Sequence, residues 1–355
     1  MKQITQEQVL AVIDAFAFEG RCSGISQNTD GHINETIVLT FREMGHDRRY
    51  ILQRINTGIM GEPEKLMDNI VGVTTYLKGK IREAGGDPGR ETLTVIPTRQ
   101  GQFHFTDEQG CSWRAYDYIE DTVCYHEPDQ PVYFYRSALA FGRFQNLLAD
   151  YPVGTLHETI VGFHDTGNRY RQFCEAVSKD SAGRKHLVGR EIEFLMQREA
   201  YTKCFDDRTD IPSRVTHNDT KLSNVLFDQK TGNALCVIDL DTVMPGLSLH
   251  DFGDAIRFGA STAAEDEPDL NKVSFDKKMY DLYLKGYLEA CGDRLTRRES
   301  ELLPMGAKVI TYEQALRFLG DYLNGDIYYR TQRPEQNLDR ARTQIKLLAD
   351  MEKLI

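Results

Sequence analysis

Two short apolar runs, Val225-Leu226-Phe227 and Leu235-Cys236-Val237-Ile238, flank the turn cluster Asp228-Gln229-Lys230-Thr231-Gly232-Asn233. Runs this short around an Asp/Gly/Asn turn form a β-hairpin and are too short for helices. The sequence on either side reads as helix, so a small hairpin must be set into a helical body. Polar residues stand at both ends of it. T-H-N-D-T-K-L-S-N (216–224) leads in, with Asp219 and Asn224 five positions apart and Lys221 between them. Asp239 closes the second run, and Asp241 follows it.

A loop aspartate, an amide five residues on and a carboxylate ending an apolar strand are the parts of a phosphoryl-transfer site. One carboxylate takes the proton of the attacking hydroxyl, while the amide and the other carboxylate hold Mg²⁺ on the nucleotide phosphates. Asp219 is the expected base, and Asn224 and Asp239 are the expected Mg²⁺ ligands. Lys221 can offset charge on the transferred group. The Asp–Asn spacing also occurs in ordinary polar loops; the hairpin ending in Asp239 sets this loop apart. Strand alternation would put Asp241 on the same side as Asp239. Asp251 opens a D-F-G triplet, which in protein kinases carries a metal ligand. It lies beyond Pro245-Gly246 with no apolar strand before it. It is expected instead to cap a helix starting at Phe252 and to brace the loop.

Before residue 119 the pattern is mostly β: a helix at 5–18, strands near 20–27, 33–41 and 50–55, a helix at 63–83, then strands near 93–97, 102–106 and 113–119. The acidic stretch 120–130 reads as a linker. Helical patterns follow at 131–150, 169–178, 188–204, 274–291, 300–325 and 334–353. The expectation is an α+β chain of two lobes, an antiparallel β N-terminal nucleotide-binding lobe at 1–118 and a mostly helical catalytic lobe at 119–355.

The 355 residues suffice for two domains. A net charge of −11 argues against nucleic acid or an anionic membrane as the main partner. The 7 cysteines are scattered, odd in number and form no C-x-x-C pair, which suits a reducing compartment. With no leader pattern and no apolar stretch of spanning length, a cytoplasmic protein is expected.

H-N-D-T-K-L-S-N followed by V-I-D-L-D resembles the signature of the aminoglycoside phosphotransferase family, small-molecule kinases with a protein-kinase-like fold. D-G-H-I-N (30–34), Y-I-L-Q (50–53), F-H-D-T (163–166), I-D-L-D-T-V-M-P-G (238–246), D-F-G-D (251–254) and R-F-G-A-S (257–261) spread the resemblance over most of the chain. They look like the members that phosphorylate the anomeric hydroxyl of N-acetylglucosamine and N-acetylgalactosamine with ATP and Mg²⁺. The resemblance implies a bilobal fold and further roles. Gly31 would lie near the phosphates and His32 would face the sugar. Phe258 would pack on the sugar and Arg317 would hydrogen-bond it. Without the resemblance, His32 reads as a solvent-facing turn residue and Phe258 as core. Arg317 then reads as the partner of Asp321 in an i,i+4 ion pair. A protein kinase carries a phosphate-binding Lys on its third strand. Gln53 stands there, followed by Arg54, so phosphate charge falls to Mg²⁺ with Lys221 or Arg54. The adenine is expected on the backbone of Tyr116, Asp117, Tyr118 and Ile119.

The resulting expectation is an ATP-dependent N-acetylhexosamine kinase acting at O1, with sugar and ATP as its partners and the monomer as its favoured state. Two other readings stay open. One is a different small-molecule kinase of the same fold, acting on choline, homoserine, a methylthioribose or an aminoglycoside. The other is a catalytically silent nucleotide-binding protein. Intact Asp219, Asn224 and Asp239 argue against silence. His32, Phe258 and Arg317 suit a neutral polyol with an acetamido group, whereas a cationic acceptor calls for several acidic residues.

Overall fold

The structure, a computed structural model, describes residues 4–28, 34–43, 45–128 and 130–355. Gly31 and His32 lie outside the described residues. In chain order come α1 (Gln6–Ile13), β1 (Arg21–Asn28), β2 (Glu35–Glu43), β3 (His46–Arg54), α2 (Thr57–Met60), α3 (Pro63–Glu83), β4 (Val95–Ile96), β5 (Phe105–Thr106), β6 (Ser112–Asp117) and β7 (Thr122–Val123). Then follow α4 (Pro131–Leu147), α5 (Thr166–Lys179), α6 (Gly189–Met196), β8 (Arg214–Thr216), β9 (Val225–Asp228), β10 (Ala234–Val237), β11 (Met244–Gly246), α7 (Ser248–Gly259), α8 (Lys277–Cys291), α9 (Arg297–Asn324) and α10 (Gln336–Leu354). They form two compact units.

The first unit comprises Met1–Val123, Asp150–Val161 and Leu226–Met244. Its main sheet is antiparallel in the order β1-β2-β3-β6-β4, with β5 on β6. Alternation buries Ile37, Leu39, Phe41, Tyr50, Leu52 and Ala115 in one cluster with Val9, Val12 and Ile13 of α1. Cross-strand pairs share a face, so Glu35, Arg54 and Trp113 lie on that side, and Thr36, Gln53 and Arg114 on the other. Arg54 is buried and ion-paired with Glu35. The strands expected at 93–97 and 102–106 shrink to the two-residue β4 and β5, and the one at 113–119 ends at Asp117. The linker expected at 120–130 begins with β7, whose Thr122 and Val123 pair with Asp228 and Phe227. The hairpin is thus part of a three-stranded sheet, β10-β9-β7. A two-residue strand is too short to leave a periodic signal in the sequence.

The second unit comprises Cys124–Ala149, Gly162–Val225 and Pro245–Ile355. Its axis is the long helix α9, started by a capping box between Thr296 and Glu299. The helix expected at 188–204 stops at Met196 and resumes as a 3₁₀ turn, Glu199–Lys203. α7 and α9 pack backbone to backbone: a Cβ on Gly253 would stand 2.4 Å from Gly306 O, and one on Gly306 would stand 2.4 Å from Leu249 O. Only glycine permits that approach. α7 is thereby held rigidly against the core of the unit, which matters for the loop it carries. No helix among the described residues is long and apolar enough to cross a membrane, and all seven cysteines are free.

Candidate active site

The loop after β8 is short, polar and largely buried, so each of its backbone groups needs a partner. α7 supplies them. Asp251 Oδ2 accepts the His217 N–H at 2.9 Å and Oδ1 accepts the Asn218 N–H at 2.7 Å. Gln145 of α4 donates to Asp251 Oδ2 and to Val215 O, each at 3.0 Å. Asp254, one helical turn on, accepts the Thr220 N–H at 2.8 Å, and the Thr220 hydroxyl donates to Asp251 O at 2.5 Å. Asn218 adopts a left-handed conformation with φ 63°, which asparagine tolerates better than most residues. Asp251 does not cap its helix as expected. α7 begins at Ser248, and both Asp251 oxygens are consumed by the loop and Gln145. Burial raises the carboxyl pKa values of Asp251 and Asp254 above the ordinary range.

Held this way, the loop brings Asp219, Lys221 and Asn224 together. Asp219 Oδ2 lies 2.9 Å from Lys221 Nζ and accepts Asn224 Nδ2 at 3.0 Å. Asn224 Nδ2 also donates to Asp219 O at 2.8 Å, and His217 Nδ1 accepts the Asp219 N–H at 3.2 Å. Burial opposes the charged carboxylate, but Lys221, His217 and Asn224 outweigh it, and the Asp219 pKa falls below the ordinary range. Asp219 Oδ1 has no hydrogen-bond partner among the described residues. It is a carboxylate oxygen kept ionised and open to a donor. The Asn224 amide spends its N–H groups on Asp219, which leaves its Oδ1 as an acceptor or metal ligand.

Phe258, near the end of α7, is half-buried in a helix whose other side chains are nearly all buried. Lys221 Nζ is 5.8 Å from its ring centroid and Arg257 Cζ is 3.8 Å from it. Arg257 is ion-paired to Asp254 at 3.1 Å. Arg317 makes no ion pair with Asp321, contrary to the i,i+4 reading. The Asp321 carboxylate is filled by the N–H groups of Ile327, Tyr328 and Tyr329 and by Asn337. Arg317 instead donates to Gln314 Oε1 at 3.1 Å. Its guanidinium lies 5.6 to 5.9 Å from the rings of Phe163, Tyr328 and Tyr329. It lines a cavity of about 160 Å³ with Arg169, Gln172, Asn324 and both tyrosines. Burial and the neighbouring Arg317 lower the Arg169 pKa.

Asp239 and Asp241 belong to the first unit. Alternation does not relate them, because β10 ends at Val237 and Asp239 is left-handed, with φ 59° and ψ 56°. Asp241 sits in the 3₁₀ turn Leu240–Thr242, ion-paired to Arg114 at 2.5 Å and accepting Asn34 Nδ2 at 2.6 Å. Gln53 donates to Thr36 Oγ1 and accepts Arg114 Nε, both at 3.0 Å. Asn69 of α3 donates to Val243 O at 2.9 Å, just beyond the turn. In the stretch expected to meet adenine, Tyr116 is buried, the Asp117 N–H donates to Thr94 O and the Tyr118 N–H donates to Arg49 O. The Ile119 N–H has no hydrogen-bond partner among the described residues.

A nucleotide-borne Mg²⁺ takes one or two protein oxygens and keeps phosphate and water for the rest. An Asn amide oxygen and an Asp carboxylate are the right donors for it. No group of three or more His, Cys, Asp or Glu among the described residues could hold a metal by itself. Sequence reasoning assigned no role to Asp254, Arg169, Tyr328 or Arg114. Asp254 carries a signal, since it lies one turn after Asp251 on the same face of α7. Arg114 carries one only once strand register is known.

The sequence profile of the phosphotransferase enzyme family matches residues 24–283. Among solved structures, an aminoglycoside phosphotransferase from Alicyclobacillus acidocaldarius is similar, with TM-score 0.62 and 13% identity, over 99% of this chain and 96% of that one. A spectinomycin phosphotransferase in complex with ADP and spectinomycin matches with TM-score 0.61 and 11% identity, over 99% and 100%. A choline kinase from Cryptosporidium parvum matches with TM-score 0.56 and 12% identity, over 98% and 96%. At such identities the likeness is one of fold, and the fold is protein-kinase-like.

Proposed function

The chain belongs to the phosphotransferase enzyme family, and within it we propose an ATP-dependent N-acetylhexosamine 1-kinase. The observation that carries the reading is the Asp219–Lys221–Asn224 trio, in which one carboxylate oxygen is anchored and the other is left to a donor. Asp219 Oδ1 accepts the proton of the anomeric hydroxyl as its oxygen forms a bond to the γ-phosphorus. The bond from that phosphorus to the ADP oxygen breaks, and the leaving group departs as ADP. The proton passes from Asp219 to solvent. An anomeric hydroxyl is more acidic than an ordinary alcohol, so a carboxylate held below the usual range is still an adequate base. Lys221 lies against Asp219 and offsets negative charge at the reacting centre. Asn224 and Asp239 would hold Mg²⁺, which when bound neutralises phosphate charge.

The choice of sugar is supported by Phe258 and Arg317. Phe258 offers a half-exposed aromatic face beside Lys221, and Arg317 offers a guanidinium bonded to Gln314 and ringed by aromatics. An aromatic face and a guanidinium donor are groups that suit a neutral pyranose with an acetamido oxygen better than a polycation. The test is incubation of the purified chain with ATP, Mg²⁺ and a panel of N-acetylhexosamines, hexoses, choline and aminoglycosides, with ³¹P and ¹H NMR of the products. Phosphate at O1 of N-acetylglucosamine or N-acetylgalactosamine is expected. Phosphate on O6, on choline or on an aminoglycoside would replace the sugar assignment, and nucleotide binding without any product would remove the kinase reading.

A further inference from the structure

Gln53 and Arg114 are direct cross-strand partners on β3 and β6. The cation missing from the third strand therefore stands one strand over, on the same face. Gln53 joins the two sides of it: its amide N–H is spent on Thr36 and its oxygen accepts Arg114 Nε. That orients the guanidinium toward Asp241, whose second oxygen takes Asn34 Nδ2, while Asn34 Oδ1 accepts the Asn56 N–H at 3.0 Å. Arg114 and Asp241 are 1% and 2% exposed, so removing either partner would leave the other's charge buried without its counterion. A lysine at position 53 could not accept Arg114 Nε–H and would set a like charge beside it.

The turn that follows asks for such a hold. Asp239 is left-handed, a conformation that costs a non-glycine residue of order 1 kcal/mol or more and persists where its surroundings enforce it. The enforcement comes from Asp241 inside the turn and from Asn69 on Val243 O beyond it. We propose that Arg114, oriented by Gln53 and clamped on Asp241, is the positioning residue that fixes the Asp239 carboxylate for a divalent cation carried by the nucleotide. The proposal rests on the kinase reading and names the part of the chain that stands in for the third-strand lysine. Gln53 is then not a weakened phosphate contact. It is a linker that a lysine cannot replace.

The experiment is calorimetric binding of a non-hydrolysable ATP analogue to the full chain across a Mg²⁺ series, with no acceptor present. Wild type is compared with Asp241→Asn, Arg114→Met, Arg114→Lys and Gln53→Lys. In Asp241→Asn, Arg114→Met and Gln53→Lys the Mg²⁺ concentration for half-maximal binding is expected to rise about 10- to 100-fold, the effect of losing an outer-shell partner. Affinity for the metal-free analogue should stay at the wild-type value. Arg114→Lys should recover only part, since an ammonium lacks the guanidinium fork. A folded Asp241→Asn chain with the wild-type Mg²⁺ dependence would overturn the proposal, and this isosteric variant carries the test if Arg114→Met does not fold. Tighter metal-free binding in Gln53→Lys would also overturn it. Wild type binding the analogue without any Mg²⁺ dependence would instead remove the kinase reading beneath it.

Discussion

Asp251 holds the backbone N–H of Asn218 at 2.7 Å, and through it the left-handed residue that precedes Asp219. With His217 N–H and the Gln145 amide on its other oxygen, one buried carboxylate satisfies three donors. Replacing it by alanine leaves those donors buried without an acceptor, at about 1–3 kcal/mol each. We expect Asp251→Ala to lose roughly 3 kcal/mol of stability by urea unfolding, with a fall in kcat larger than the rise in nucleotide KM. Comparison with Asp239→Asn separates bracing from metal binding. An Asp251→Asn chain dead at every Mg²⁺ concentration beside an active Asp239→Asn chain would reverse the two roles.

Arg317 makes no ion pair with Asp321, donates to Gln314 and lines a cavity. A hydrogen bond from a charged donor contributes about 1.5–3 kcal/mol, roughly ten- to a hundredfold in affinity. Arg317→Ala is therefore expected to raise the KM for the sugar by that factor while the KM for ATP stays put. Equal losses for both substrates would mean that Arg317 supports the fold and not the acceptor.

The strand near 33–41 and the helix at 63–83 were readable because long elements carry their composition and spacing over many residues. The hairpin and the Asp219–Asn224 loop were readable because turn chemistry and a fixed spacing survive in sequence. What holds them was not. Asp251 looked like a helix cap because D-F-G follows Pro245-Gly246, yet its oxygens are claimed by a loop more than thirty residues earlier. Without the resemblance, Arg317 reads as the partner of Asp321, because i and i+4 share a helix face. The N–H groups of 327–329 compete for that carboxylate, and nothing local announces them. Arg114 was invisible for the same reason, since β3–β6 register joins residues 61 apart.

The α7–α9 contact predicts a steric cost. A methyl on Gly253 would meet Gly306 O at 2.4 Å, and backbone cannot swing aside as a side chain can. Gly253→Ala should cost about 1–3 kcal/mol from overpacking and should loosen Asp251 and Asp254, lowering kcat. Gly79→Ala, inside α3 with nothing within 4 Å of its Cβ, should stabilise by up to about 1 kcal/mol. Thermal melts of both variants check the pair, and equal shifts would contradict the close crossing.

Glu313 predicts acid sensitivity in the helical unit. Burial opposes its charge, but His164 at 2.9 Å, Arg317 and Thr166 at 2.8 Å outweigh it and bring its pKa to about 2. A carboxyl depressed in the folded state stabilises above its unfolded pKa, and that contribution is lost as pH falls toward the folded value. Stability on the order of 3 kcal/mol should therefore disappear between about pH 4.5 and pH 2. Glu313→Gln should be less stable at neutral pH and show a flatter acid limb. An unchanged slope would place the acid-sensitive group elsewhere.

On the proposed mechanism, Asp219 sets the pH dependence of turnover. It works as a base only when ionised, and although burial opposes its charge, Lys221, His217 and Asn224 hold its pKa below the ordinary range. The acid limb of kcat/KM should then lie below the usual aspartate region, with activity flat through neutrality. Among the groups that lower the pKa, Lys221 contributes most, so Lys221→Met should move the limb to higher pH as well as reduce the rate. Asp219→Asn keeps the shape and both anchoring contacts but cannot take a proton. It should lose about 10²–10⁴ in kcat while nucleotide affinity survives. A limb that stays in place in Lys221→Met would show that another group governs the ionisation. Near-normal turnover in Asp219→Asn would show that the acceptor proton leaves by a route other than Oδ1, and the mechanism would have to be rebuilt around that route.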